Sequence, residues 1–263
     1  MNSAPIALPF DLRPTRAGLK WLLVLLALGL FAFALVRGAR LPWFDFKTIS
    51  VEGDLIHNTA ASVRRQAQPQ LSGGYFTMNL QQARAAFETV PWVRRAQVKR
   101  VWPGRLVVTL EEHRPVAFWE RTGSDPQLVN DHAELFEVNL GDLEDDDLPM
   151  LRGPKGSTEQ VLSFWQALSP VVARMPARLV KLSLSDRGSW RAELDTGATL
   201  EIGRGEPGEL LLRTERFVRS VPQIMDKFDR HAIEYVDLRH SDSYALRLAG
   251  VGFVRPTVRG KPE

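Results

Sequence analysis

The stretch PWVRRAQVKRVWPGRLVVTLEEHRPVAFW, residues 91–119, decides how this chain folds. Ala96 and Val98 fall on one side of an extended strand and Gln97 and Lys99 on the other, the period-two pattern of a half-buried strand. Trp102-Pro103-Gly104-Arg105 then supplies a turn, in which proline fixes one φ and glycine permits a positive one. Leu106, Val108 and Leu110 resume the alternation against Val107, Thr109 and Glu111. The product is a hairpin with one apolar face. A hairpin alone is marginal in water, so a cover is needed, and the helical segments just upstream are the candidates.

Residues 58–68 (NTAASVRRQAQ) predict a helix capped by Asn58. Residues 79–88 (NLQQARAAFE) predict a second, with Asn79 as cap, Gln82 three positions on, and Leu80, Ala83, Ala86 and Phe87 at helical spacing. Before them, residues 44–51 (FDFKTISV) predict a strand. Strand, helix, helix, strand, strand over 44–113 makes one small α+β unit of domain size, in the order of a POTRA domain.

Working toward the N-terminus, residues 21–36 (WLLVLLALGLFAFALV) are the long apolar run. Sixteen residues rise about 24 Å, short of a hydrocarbon core of about 30 Å. Carried through Arg37, Arg40 and Leu41 to a stop at Pro42, the helix spans, with the arginines snorkelling at one end and Trp21 and Trp43 as interface anchors. This predicts a cytoplasmic tail over 1–20 and a membrane helix over 21–41. The competing reading is a cleaved signal peptide, with Ala32-Phe33-Ala34 as its site. Charge does not orient the span, because Arg13, Arg16 and Lys20 precede it and Arg37, Arg40 and Lys47 follow it.

Toward the C-terminus, residues 114–250 predict a β-domain, an antiparallel sheet with two helices, and 251–263 a flexible tail. Apolar residues recur two apart at Leu182 and Leu184; Trp190, Ala192 and Leu194; Leu200 and Ile202; Val236 and Leu238; and Leu246 and Leu248. Asp186-Arg187-Gly188 and Asp195-Thr196-Gly197 read as turns of a meander. Ser157 with Gln160 predicts a capping box for a helix through Leu168, stopped by Pro170. A second helix runs from Glu206 to about Val221, with Leu210, Phe217 and Val221 on one face and Glu209–Arg213 and Glu215–Arg219 spaced for i,i+4 pairs.

Composition narrows the function classes. The chain of 263 residues is 44% hydrophobic and 25% charged, ordinary globular material with room for more than one domain. A net charge of +3 argues for no obligate nucleic-acid partner, and zero cysteines exclude a disulfide framework, a thiolate metal site and a cysteine nucleophile. Gly203-Arg204-Gly205-Glu206-Pro207-Gly208 matches G-x-G-x-x-G literally, yet Glu206 would repel a pyrophosphate and no acidic residue ends a second parallel strand about twenty residues on. It reads as a strand-to-helix turn with Pro207 at N1. Asp142, Glu144, Asp145, Asp146 and Asp147 lack EF-hand spacing and read as a solvated loop. His57, His113, His132, His231 and His240 have no paired metal spacing. No nucleophile, base and orienter form a set, so no catalytic residue, metal ligand or cofactor is assigned.

Two surfaces remain as binding candidates. Arg94, Arg95, Lys99, Arg100 and Arg105 form the densest basic patch, suited to anionic headgroups or an acidic partner. The last strands, 235–239 and 243–248, suit an edge hairpin, because a chain ending in a strand tends to leave it at a sheet edge where unpaired N–H and C=O groups accept a partner segment.

Residues 91–119, then Leu128-Val129-Asn130, Leu148-Pro149-Met150-Leu151 with Gly153-Pro154, LEIGRG over 200–205 and Tyr235-Val236-Asp237-Leu238-Arg239 closely resemble, in order, the FtsQ (DivIB-type) bacterial cell-division proteins. The resemblance implies a non-enzymatic inner-membrane scaffold of the divisome at the division septum, with a cytoplasmic N-terminus and periplasmic POTRA and β-domains. It implies that the terminal strand pairs with an FtsB-like protein, itself coupled to an FtsL-like one, and that other divisome proteins use the POTRA domain. The site it implies is Arg239, His240, Ser243, Tyr244, Ala245, Leu246, Arg247 and Leu248, with Trp190 and Arg187. His240 stands where an aromatic is common, the register after it departs from the family pattern, and Arg187 is one position off a family arginine. From other classes stand a membrane-anchored periplasmic enzyme acting on cell wall, and a POTRA-type chaperone for outer-membrane assembly.

Overall fold

The computed structural model describes residues 16–38, 46–139, 141, 143, 147–228, 231–240 and 243–250, and the chain divides into two compact units after Glu112. In the first unit an apolar helix, α1, spans Arg16–Gly38. Its Leu19–Gly38 stretch of 20 residues rises about 30 Å, enough to cross a hydrocarbon core. The helix starts upstream of the expected Trp21. The expected extension to Leu41, the flanking Arg13, Arg40, Pro42 and Trp43, and Phe44 at the start of the first expected strand lie outside the described residues, as do the tail 251–263 and Asp142, Glu144, Asp145 and Asp146.

The rest of this unit is a three-stranded sheet under two helices. Strands β1 (Thr48–Asp54), β2 (Val93–Val101) and β3 (Arg105–Glu112) lie in the order β1-β3-β2, with helices α2 (Ala60–Ala67) and α3 (Leu80–Glu88) on one face. The first strand therefore sits later than 44–51, because its length is set by parallel pairing with β3 from Thr48↔Arg105 to Asp54↔Glu111. Ala96, Leu106, Val108 and Leu110 are buried against Val63, Ala83 and Phe87, and each large side chain so buried contributes about 1.5–3 kcal/mol. Val98 is only half-buried, since β2 is an edge strand. Val107, on the open face, is nevertheless 5% exposed: β3 is central, and Ser50 and Lys99 flank Val107 from either side.

Asn58 is not the cap of α2. Thr59 is, in a reciprocal capping box with Ser62, while Asn58 donates its backbone N–H to Glu112 and its side-chain Nδ2–H to the Pro91 carbonyl at 2.7 Å. Glu112 is buried and accepts from Ile56, His57 and Asn58 N–H at 2.8, 2.9 and 3.0 Å, fastening the β1–α2 loop to the end of β3. Asn79 caps α3 as expected, accepting from Gln81 and Gln82 N–H.

Among the described residues the second unit holds a nine-stranded sheet in the order β12-β11-β10-β9-β8-β7-β4-β5-β6. Its strands are β4 (Pro115–Trp119), β5 (Gln127–Asn130), β6 (Leu135–Phe136), β7 (Met150–Arg152), β8 (Leu179–Leu184), β9 (Trp190–Leu194), β10 (Thr199–Gly203), β11 (Ile233–Asp237) and β12 (Ala245–Leu248). Helices α4 (Thr158–Val172) and α5 (Pro207–Lys227) pack on one face over Leu182, Ala192, Leu200 and Val236. Alternate positions, Lys181, Ser183, Arg191, Glu193 and Glu201, line a cleft on the opposite face.

The sheet is mixed rather than wholly antiparallel: β4–β7, β7–β8 and β10–β11 are parallel. The meander is real for β8, β9 and β10, but α4 and α5 are crossovers that return the chain in its original direction. Both helices also outrun their expected ends. Pro170 and Pro222 lie inside them, tolerated because Val171, Val172, Val221 and Ile224 bury the flanking turns in the core. Ser157 does not form a capping box, since its hydroxyl donates to the Pro154 carbonyl instead. Nor do the expected i,i+4 ion pairs form on α5. Arg213 donates to the Ile202 carbonyl, and Glu215 pairs with Arg174 at 3.8 Å. The glycine run is a strand-to-helix turn, with Glu206 at the N-cap and Pro207 opening α5.

Candidate functional site

The two ends of the nine-stranded sheet differ in what they offer. At one end stands β6, two residues long, next to an Arg121–Glu137 ion pair of 2.7 Å. At the other stands β12, four residues long and, among the described residues, paired only with β11, so one side of its backbone faces no described strand of this sheet. Ala249 N–H donates to the Ala232 carbonyl at 2.8 Å. Alternation along an extended strand then turns the N–H of Arg247 toward β11 and those of Leu246 and Leu248 toward the open side.

Side chains hold this edge in place. Leu248 is buried and Leu246 packs partly into the core, whereas Ala245 and Arg247 are exposed. Arg247 pairs with Glu234 at 3.1 Å and lies 5.7 Å above the Tyr235 ring. Tyr244 precedes the strand. Its hydroxyl donates to Ser220 Oγ at 2.8 Å and its ring meets Phe217 edge-on at 5.5 Å, tying the start of β12 to α5.

Arg239 follows β11 and folds back on Asp237. Its Nε–H lies 2.9 and 3.1 Å from the two carboxylate oxygens, and its backbone N–H donates to Oδ1 at 3.0 Å. The Arg239 hydrogen bonds hold the Asp237 carboxyl down at about 2, against the opposing effect of its burial, and the same pairing pushes the guanidinium upward. Gly203, at φ +91, provides the room: a Cβ there would lie 2.9 Å from Arg239 Cγ. Gly203 is also the register partner of Trp190. Trp190, Gly203, Arg239 and the start of β12 therefore share one end of the sheet.

Within that end the expected residues play unequal parts. Arg239, His240, Ser243, Tyr244, Ala245 and Arg247 are exposed, whereas Trp190 is 2% exposed and packs on Phe164 at 4.4 Å. Arg187 is exposed in the β8–β9 turn, with three strand spacings, about 14 Å, between β9 and β12. The basic patch of the first unit does not stay together. A bulge sets Arg94 and Arg95 opposite Glu111, to which Arg94 donates at 2.7 Å; Lys99 is exposed on the open face; and Arg100 turns to the helices and donates to the Met78 carbonyl. Glu234 and Ser220 carry no local signal, because each acts through a partner, Arg247 or Tyr244, that only the sheet register or α5 brings near; Asp237 stands two residues before Arg239, and it is the fold-back after β11 that joins them.

Comparison with known proteins assigns both units. Residues 44–113 match the POTRA domain, FtsQ-type, and residues 117–239 match the C-terminal domain of cell division protein FtsQ/DivIB. "Cell division protein FtsQ" of Thiomonas arsenitoxydans is 35% identical over 249 residues, covering 94% of this chain and 91% of its own. The chain belongs to the FtsQ family. Its counterpart in Burkholderia pseudomallei is 39% identical over 221 residues, 84% of this chain and 86% of its own, and that of Bordetella pertussis 33% over 228, 80% and 82%. As an FtsQ-family cell-division protein with one apolar N-terminal helix, the chain is consistent with a single-pass membrane protein. The FtsQ C-terminal match stops at Arg239, so β12 lies beyond it.

Proposed function

We propose that this chain is a non-enzymatic scaffold of the divisome that binds an extended segment of an FtsB-like partner by strand addition to β12. The observation that carries the reading is the open side of β12, held rigid by β11 and by the Tyr244–Ser220 bond. Backbone pairing on such an edge gives affinity, and the exposed Ala245 and Arg247 give the partner side chains to read. Arg239 uses part of its fork on Asp237, and its solvent-facing remainder has donors for a partner carboxylate. Arg187 flanks the same end, and Trp190 supports it from within.

In this reading the tail before α1 is cytoplasmic, both folded units lie in the periplasm at the septum, an FtsL-like protein is coupled through the FtsB-like one, and other divisome proteins use the POTRA unit. Among the described residues the one strongly depressed carboxyl, Asp237, is engaged by Arg239, which suits a binding surface better than a hydrolytic site. The test is hydrogen exchange on the full chain with and without an FtsB-like fragment. Slowed exchange at Leu246 and Leu248 amides is expected; a complex that forms while these amides exchange freely would sink the strand-addition reading.

A further inference from the structure

The first unit exposes aromatic side chains at one pole. Trp102, at the tip of the β2–β3 hairpin, is 62% exposed, and Phe76 is 53% exposed. Tyr75 links them, edge-on to Phe76 at 5.2 Å and to Trp102 at 5.4 Å, and touches Phe46 at 5.8 Å. A fold that only had to be soluble would gain by burying these rings. Lys47, next in sequence to Phe46, and Arg105, register partner of Thr48, are both exposed near this end of the strands.

This pole is also where the chain enters the unit. Lys47 N–H donates to the Gly104 carbonyl at the hairpin tip, at 2.8 Å. Gly38 ends α1 and Phe46 already belongs to the cluster, so eight Cα steps join them and hold the pole within about 29 Å of the helix end. The opposite end of the strands, marked by Glu112 and Ile56, is about 23 Å farther along β3.

We propose that Phe76, Tyr75 and Trp102, with Lys47 and Arg105, form a membrane-interface docking surface that seats the POTRA unit on the headgroups of the bilayer crossed by α1. Tryptophan and tyrosine partition to that depth, with an apolar body in the acyl boundary and a polar edge in water. The two cations meet anionic headgroups. Such a small patch binds bilayers weakly on its own, but the short tether raises the local lipid concentration and makes a weak contact persistent. The proposal rests on α1 being a membrane anchor. A protein partner is the competing occupant, and the tether favours lipid.

The absence of cysteine from the chain makes the test direct. Thr48→Cys, Ile56→Cys and Leu28→Cys, each in the full chain, are labelled with a fluorophore and reconstituted into nanodiscs of phosphatidylethanolamine and phosphatidylglycerol carrying a headgroup nitroxide quencher; Leu28 is read with an acyl-chain quencher. Quenching several-fold stronger at Thr48→Cys than at Ile56→Cys is expected, with loss of the difference in the Trp102→Ser/Phe76→Ser background. Trp102→Ser alone serves should the double variant melt. Three results overturn the docking surface while leaving the anchor: an unquenched label at Thr48 with Leu28 immersed, quenching that survives removal of both rings, or protection of the Thr48 label only after other division proteins are added. An unquenched label at Leu28 overturns the anchor and the docking together.

Discussion

Gly203 leaves the space that Arg239 fills: a Cβ built on Gly203 would lie 2.9 Å from Arg239 Cγ and 3.2 Å from its Cα. Gly203 also holds φ +91, which an L side chain rarely adopts. Gly203→Ala therefore meets two penalties, and equilibrium denaturation of the variant should show a loss of about 2–4 kcal/mol. Gly188→Ala separates them, since Gly188 has φ +74 but nothing within 4 Å of its added Cβ. It should cost about 1–2 kcal/mol. Equal losses at the two sites would show that Arg239 does not press on Gly203.

The Asp237–Arg239 pair gives a pH signature. Asp237 titrates near 2 in the folded chain, well below its ordinary 3.8, because Arg239 stabilises the carboxylate. A depressed folded-state value adds stability that is complete above 3.8 and is lost as pH falls toward 2. Carboxyl NMR of Arg239→Gln should therefore show the Asp237 midpoint rising, and its acid melt should flatten across that window relative to the unaltered chain. An unmoved midpoint would assign the depression to another group.

The hairpin of the first unit makes a graded prediction. Ala96 is 1% exposed on the helix-covered face, Val98 is half-buried on the same face, and Lys99 is exposed on the other. Ala96→Asp places a carboxylate in the core and should cost more than about 3 kcal/mol. Val98→Asp should cost less, because the edge of β2 admits water, and Lys99→Asp should stay within about 0.5 kcal/mol. Thermal melts of the three check the order, and a reversal of Ala96 and Lys99 would mean a one-residue slip in register.

Loss of Glu112 should be felt far from it in sequence. Glu112→Ala leaves the N–H groups of Ile56, His57 and Asn58 without their acceptor, a destabilisation of about 2–4 kcal/mol. Amide exchange should rise first at these three residues. Faster exchange only in the β2–β3 turn would contradict the fastening role.

This contrast explains what the sequence could and could not show. The hairpin, the Asn79 cap, and the alternating strands β8 to β12 are legible because pattern and turn chemistry are local. Nothing local marks Glu112, since its partners stand more than fifty positions away. The parallel pairings β7–β8 and β10–β11 were invisible for the same reason: direction is set by the crossovers α4 and α5, and Pro170 reads as a stop until packing overrules it. At the edge, β12 could be expected from chain order, but the orientation of its amides comes from pairing with β11.

That orientation sharpens the last prediction. The amide of Leu246 faces the open side of β12, so Leu246→Pro removes a donor the added strand needs while leaving the Arg247 amide directed at β11. Leu246→Ala removes the same side chain and keeps the donor. Calorimetry against an FtsB-like segment should show binding weakened at least about tenfold by Leu246→Pro and less than about threefold by Leu246→Ala, with circular dichroism confirming that both fold. Arg239→Glu should weaken binding more than Arg239→Ala, because it opposes a partner carboxylate and also sets two carboxylates together at Asp237. If Leu246→Pro and Leu246→Ala bind equally well, the partner does not pair with β12. The exposed edge of β2 beside Arg95 and Lys99 then becomes the leading place to look.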